Sequence, residues 1–301
     1  MSFKKQCQAD RNAVQRWITD PLTALPVAFF WIFFKILPIR LASVIGGFLG
    51  GFLGRFMTRK NKIALYNLKV AFPNKTDAER CIILHRMWCH WGRFFAEMPH
   101  AQKLLKISEV KGSENLVEMR EDQKGGFIFS AHLGNWEMIS QLMLQYGMPV
   151  ALVYRAANNP WLEKLMFQKR AGTLIPKGLE GARQMIQVLR NKGHIALLVD
   201  QKLNEGIEVP FFGKPAMTAA AMATLAVKMN VPIYMGKSIR QKNGRFLITI
   251  YPALKLPEEK DVEKATRQIM TQVNQIMSEW IYENPEQWLW IHRRFDKKEY
   301  L

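Results

Sequence analysis

The chain is poor in cysteine, with Cys7, Cys81 and Cys89 the only three in 301 residues. Three thiols cannot build a disulfide framework. None sits in a C-x-x-C pair, which argues against a structural zinc or thioredoxin-type site and for a reducing compartment. Acid is also scarce: 43 Lys and Arg face 25 Asp and Glu, a net charge of +18. The sequence has no internal repeat, no low-complexity tract and no G-x-S-x-G nucleophile elbow. It lacks an RNP-type run, zinc-finger spacing and a helix-turn-helix signal, so a nucleic-acid binder has only the charge to support it. What is present is an ordinary globular composition, 49% hydrophobic and 23% charged. The length suits one large domain or two small ones.

The positive charge is uneven. Residues 1–100 carry 15 basic and 5 acidic side chains, so an anionic partner is expected near that end. The same region holds the longest apolar runs. PLTALPVAFFWIFFKILP has one charge, Lys35, placed where it can snorkel, and falls slightly short of the ~20 residues of a span. LASVIGGFLGGFLGRFM follows, with Gly46, Gly50 and Gly54 four apart, a spacing that lets helices approach closely. Lys4, Lys5, Arg11 and Arg16 precede these runs, and Arg55, Arg59, Lys60 and Lys62 follow them. Each such cation near an anionic leaflet contributes ~1 kcal/mol. The plain alternative is a buried hairpin. Aromatic enrichment and the cationic rim favour membrane attachment, spanning or interfacial, for residues 1–57.

Residues 58–301 read as an α/β domain. Helices are expected over about 58–105, one of them starting at Thr76-Asp77-Ala78-Glu79, and over 113–122. From Gly125 short buried strands alternate with helices: GGFIFSA, then HLGNWEMISQLMLQYG, PVALVYR, NPWLEKLMFQKRAG, TLIPK, EGARQMIQVLRNKG and HIALLVDQ. PAMTAAAMATLAVKMN reads as a helix, VPIYMGKSI and RFLITIYP as a hairpin, and 261–282 as a terminal helix. The fold class is therefore α/β, with a mixed, mainly parallel central sheet flanked by helices and an amino-terminal membrane-associated helical region.

In open α/β sheets ligands sit at the carboxyl ends of the strands. His132 follows the first such strand, with Glu137 five residues on; Arg155 follows the second; Asp200 and Gln201 follow a third. On one helix, positions i and i+5 lie about 140° apart. His132 and Glu137 can meet only if the histidine is in the turn and the glutamate opens the helix. Gly134 permits that turn and Asn135 is a suitable N-cap. The carboxylate would then orient the imidazole, whose other nitrogen acts as a general base, a contribution of ~10²–10⁴-fold. A helix-capping histidine with a dipole-satisfying glutamate is the bland alternative. Met138, Met143, Met148 and Met166 are core candidates, and no histidine has metal-ligand spacing.

SAHLGNWEM resembles the H-x4-D/E signature of glycerolipid-type acyltransferases. With MTRKNKIALYNLKVAFPNKT, VYRAANNP, VDQ, VPFFGKPAMT and QWLWIHRRF in the same order, the chain more narrowly resembles the lipid A late acyltransferases, the lauroyl- and myristoyl-transferase relatives. That resemblance implies transfer of a fatty acyl group from acyl carrier protein to a hydroxyl of a Kdo-containing lipid A precursor. The carrier thioester is donor substrate, no cofactor or metal is needed, and His132 is general base with Glu137 its orienting carboxylate in a ternary complex. No acyl-enzyme is implied. Arg155, Asn159, Asp200, Gln201 and Thr218 are implied around the substrates, with Asn135 beside the motif. Phe211 and Phe212 are candidates for an acyl tunnel, core packing being the plainer reading of either ring. Arg293 and Arg294, beside Trp288 and Trp290, suit substrate phosphates. Partners would be acyl carrier protein, the lipid A precursor and membrane phospholipids, not nucleic acid, at the cytoplasmic face of the bacterial inner membrane. An acyl-CoA-dependent lysophospholipid or other glycolipid acyltransferase is the close alternative.

Overall fold

A computed structural model describes residues 19–154, 159, 161, 172–176 and 178–300. Its centre is a seven-stranded sheet. The strands are β1 (Glu109–Lys111), β2 (Gly126–Ser130), β3 (Val150–Tyr154), β4 (Thr173–Pro176), β5 (His194–Leu198), β8 (Ile233–Arg240) and β9 (Phe246–Ile250), in the order β1-β9-β8-β2-β5-β3-β4. Every pairing is parallel except β8 with β9, so the expected mixed, mainly parallel sheet is present. β6 (Lys202–Phe211) and β7 (Lys214–Thr218) form a separate antiparallel hairpin.

Strand alternation divides the core. Phe127 and Phe129 of β2 face one side, with Leu68, Met87, Ala226 and Met277. These come from helices α3 (Thr58–Ala71), α4 (Asp77–Glu97), α9 (Ala221–Met229) and α10 (Val262–Glu283). Helix α8 (Leu179–Arg190) adds Met185 and Leu189. Ile128 faces the other side, with Leu104, Met119 and Met143 of α5 (Ala101–Ile107), α6 (Ser113–Glu121) and α7 (Glu137–Gln145). Period-2 side chains on a sheet covered on both faces require this arrangement. Met138, Met143 and Met148 are all buried, as read from the sequence; Met166 and most of the helix expected from Asn159 lie outside the described residues. Thr76 caps α4 through a full capping box with Glu79.

One helix is shorter than expected. PAMT belongs to β7, and α9 starts only at Ala221. The tight turn at Phe212 and Gly213, both with positive φ, folds this stretch back on β6, as primed hairpin turns do.

The amino-terminal runs form α1 (Asp20–Ile36) and α2 (Ile39–Gly54). By length and composition no single helix among the described residues can cross a membrane; α2 and α3 together reach the length but bend by 95°. The glycines of α2 face α4. A Cβ at Gly46 would stand 2.6 Å from the Gly92 carbonyl oxygen, and one at Gly92 2.0 Å from that of Gly46. The small-residue seam is thus consumed inside the chain, and the bulky side chains are turned outward: Phe29, Ile36 and Phe48 are 73%, 76% and 71% exposed. Gly92→Val would have to force this seam apart. Overpacking of this kind costs about 1–3 kcal/mol, which thermal denaturation should read as a Tm lower by several degrees.

Candidate active site

His132 leaves the end of β2 in a loop whose backbone is held from three directions. Its N–H donates to Asp200 Oδ2 (2.9 Å), and its carbonyl accepts from the Leu289 N–H (3.2 Å). The Gly134 N–H donates to the Gln287 carbonyl, and the Asn135 N–H donates to Ser238 of β8, each at 3.0 Å. The Gly134 carbonyl pairs with His90 Nε2 of α4 at 3.1 Å. Gly134 has φ +61°, and a Cβ there would lie 1.8 Å from the Ser238 oxygen. Glycine is required here because the loop passes against strand backbone in a left-handed conformation. Asn135 does not cap α7. Trp136 holds the N-cap position without a side-chain bond, and the Asn135 Oδ1 is buried without a partner.

The carboxylate on the imidazole is Asp200. Its Oδ1 lies 2.8 Å from His132 Nδ1, and its Oδ2 also accepts from Trp288 Nε1 at 2.7 Å. Burial alone would raise the Asp200 pKa. The adjacent His132 and three hydrogen bonds outweigh it and hold the carboxyl at about 2. An ionised Asp200 keeps the neutral ring's hydrogen on Nδ1 and leaves Nε2 with its lone pair. That lone pair faces Gln201 Nε2 at 3.2 Å. Where the sequence places Glu137 on the imidazole, the structure has Asp200: its strand-end position sets it directly beside His132, whereas Glu137 opens α7. Glu137 lines a largely apolar pocket between α7 and the sheet, with Trp136, Ser130, Ile139, Leu152 and Leu198.

Several residues expected around the substrates are buried and hydrogen-bonded within the chain. Arg294 is 1% exposed. Its guanidinium donates to Thr218 Oγ1 (2.7 Å) and the Met217 carbonyl (2.9 Å) and lies over the Phe211 ring. Burial lowers its pKa to about 10. Thr218, fully buried, is its partner and also accepts from Asn274. Trp288 and Trp290 are buried too, and Phe211 and Phe212 pack against them. An antiparallel bridge between Leu133 and Trp288 fixes this segment beside the loop, and Trp288, Leu289 and Trp290 are all buried there. Only Arg293 of the arginine pair keeps partial exposure. Asn159 is held at the start of α1, donating to the Asp20 carbonyl (2.7 Å) and Thr23 Oγ1 (3.0 Å). Arg155 lies outside the described residues.

The residue that sequence reasoning missed is His292. Gln201 Nε2 is 3.1 Å from its Nε2. QWLWIHRRF drew attention for its arginines and tryptophans, and the histidine between them carried the signal. Among the described residues no three His, Cys, Asp or Glu side chains group to hold a metal. Cys81 is exposed, and burial raises the Cys89 thiol despite Arg93 nearby.

His90 and His292 give the fold a pH dependence. Burial lowers His90 to about 3, with Arg240 adding to the effect. Burial also lowers His292 to about 4, with His132 and Lys60 adding to it and Asp200 opposing. Both bind a proton more readily when unfolded, near pH 6.5, so their contribution is complete above that pH and falls away below it. Stability should fall by up to about 1.4 kcal/mol per pH unit for each histidine between pH 6 and 4.5. Chemical denaturation across that range checks this, with His90→Gln expected to flatten the slope.

The sequence profile of the bacterial lipid A biosynthesis acyltransferases matches residues 8–297. A Haemophilus influenzae lipid A biosynthesis acyltransferase is 28% identical over 79% of this chain and 78% of its own length. The Escherichia coli lipid A biosynthesis lauroyltransferase is 26% identical over 91% of both chains, and the myristoyltransferase of that species is 25% identical over 76% and 72%. A chain matched nearly end to end, whose sheet presents a carboxylate-held imidazole at its strand ends, belongs to the bacterial lipid A biosynthesis acyltransferase family and is an acyltransferase enzyme.

Proposed function

We propose that this acyltransferase moves a fatty acyl group from acyl carrier protein to a hydroxyl of a Kdo-containing lipid A precursor, in one ternary complex, with His132 as general base. The observation that carries this reading is the Asp200–His132 pair, whose polarity leaves Nε2 as a proton acceptor. Nε2 takes the hydroxyl proton as the oxygen attacks the thioester carbon, and the carrier thiolate leaves and is protonated. Asp200 stays ionised and stabilises the imidazolium that forms.

The pocket under α7 suits the acyl chain. Its walls are mostly apolar, with Glu137 among them. From His132 an aromatic path runs outward. Trp136 lies 5.1 Å from the imidazole, Phe94 stacks on Trp136 at 4.5 Å, and Phe95 beyond it is 42% exposed. That surface and the exposed apolar face of α1 and α2 fit attachment to phospholipid in the plane of the interface, at the cytoplasmic face of the inner membrane. The cations after α2 and the half-exposed Arg293 would meet acidic carrier helices and substrate phosphates.

Mass spectrometry of a tetra-acylated Kdo-bearing disaccharide, incubated with the enzyme and defined acyl carriers or acyl-CoA, tests this reading. The expected product gains one acyl chain from the carrier donor. An acceptor unchanged with every donor would refute it, and transfer from acyl-CoA alone would move the assignment to the CoA-dependent class.

A further inference from the structure

The proposed reaction leaves His292 unused, although one amide nitrogen ties it to the base. Gln201 Nε2 stands between two imidazole Nε2 atoms, 3.2 Å from that of His132 and 3.1 Å from that of His292. The two rings are 5.9 Å apart. A primary amide nitrogen carries two hydrogens and no lone pair to offer. It satisfies both contacts only when both Nε2 atoms are unprotonated acceptors. In a neutral His132 ring Asp200 on Nδ1 holds the hydrogen there and leaves Nε2 bare. Burial, with His132 and Lys60 acting the same way and Asp200 against them, favours a neutral His292 ring, and its contact with the Gln201 NH2 selects the tautomer with a bare Nε2. The His292 ring is set in place by its own backbone: its carbonyl and that of Trp290 both accept from Asn67 Nδ2 of α3, each at 2.7 Å.

This geometry has a consequence for turnover. The lone pair that must receive the substrate proton is occupied at rest, and a hydroxyl reaches it only by displacing the Gln201 N–H. Displacement removes one of the two acceptors of the amide NH2 group, and the bond to His292 Nε2 is the contact that still holds the amide in the site. Once His132 holds a proton on Nε2, its N–H points toward an amide N–H, and the amide must stay turned away.

Resting on the reading of His132 as general base, we propose that Gln201 and His292 are a positioning pair: Gln201 guards the His132 Nε2 lone pair in the empty site, and His292 retains the amide when the acceptor hydroxyl takes its place. Neither residue exchanges a proton with substrate. The pair sets how readily the base is uncovered.

The test joins steady-state kinetics to ¹⁵N NMR of the histidine rings in the full-length protein. His292→Phe removes the acceptor and keeps a ring. It is expected to lower kcat roughly 10-fold, the effect of one lost hydrogen bond, with KM for donor and acceptor little changed. His292→Gln restores an acceptor near the same position and should recover most of the loss. Gln201→Ala should move the His132 Nε2 resonance toward that of an unbonded ring nitrogen. Combining it with His292→Phe should lower kcat no further than the worse single variant. Additive losses, an equal loss in His292→Gln and His292→Phe, or an unmoved His132 resonance in Gln201→Ala would each overturn the pair. Should His292→Phe lose its cooperative thermal transition, His292→Gln and Gln201→Ala carry the same comparison. Wild-type protein that transfers no acyl group refutes the functional reading instead, and the resonances still report the pair.

Discussion

Asp200→Asn is expected to lower kcat by roughly 10³–10⁴-fold while leaving the fold intact. The reason lies in which atoms Asp200 serves. Its Oδ2 accepts two N–H groups, from the His132 backbone and from Trp288. An asparagine must keep its oxygen there, because its NH2 cannot accept. The NH2 then faces His132 Nδ1, and that nitrogen must surrender its hydrogen to accept the contact. The hydrogen moves to Nε2, the atom that has to be bare. The variant therefore holds an imidazole in the right place with the wrong tautomer, a barrier increase of about 4–5.5 kcal/mol. His132→Ala sets the floor: acyl transfer almost abolished, with the thermal midpoint retained. Single-turnover transfer assays on both variants, beside their melting curves, check this. An Asp200→Asn enzyme within tenfold of wild type would remove Asp200 from the orienting role.

Gly134→Ala should have the largest effect on folding. The new methyl would meet the Ser238 oxygen at 1.8 Å, in a backbone conformation of φ +61°. The left-handed conformation costs ~1–2 kcal/mol for a residue with a Cβ, and overpacking against a strand adds about 1–3. A loss of roughly 2–5 kcal/mol is expected, large for one methyl group. The loop can escape only by leaving β8, which breaks the Asn135-to-Ser238 bond and frees Gly134 from Gln287 and His90. Urea denaturation should show a lower midpoint, and the remaining folded protein should be inactive because His132 moves with the loop. Wild-type stability in this variant would mean that the loop packs elsewhere.

Most of the sheet was legible because its strands read as short apolar runs and helices of regular period separate them. β1 was not, being only the three residues EVK, two of them charged. Nor were β6 and β7: KLNEGIEVPF carries charge, and the hairpin is built by a positive-φ turn at Phe212-Gly213 that composition does not announce. At the site, strand-end position located His132, Asp200 and Gln201. It did not say which carboxylate would pair with the imidazole, since Glu137 is near in sequence and Asp200 only in space. The carboxyl-terminal block was misread for a physical reason. Alternating aromatic and basic residues suit a surface, yet the bridge of Leu133 to Trp288 turns Trp288, Trp290 and Arg294 into the core. Charge alone does not reveal that an arginine has carbonyl and hydroxyl partners waiting inside.

The loop that carries His132 is closed by Gln287, Trp288 and Leu289, more than 150 positions downstream. Synthesis proceeds from the amino terminus, so a chain still on the ribosome can possess the imidazole, the carboxylate and the whole parallel sheet, and yet lack the indole and carbonyl that fasten them. Activity should therefore appear late and abruptly during translation. Stalled chains stopping short of residue 287 would carry the sheet complete and their chemistry still disarmed.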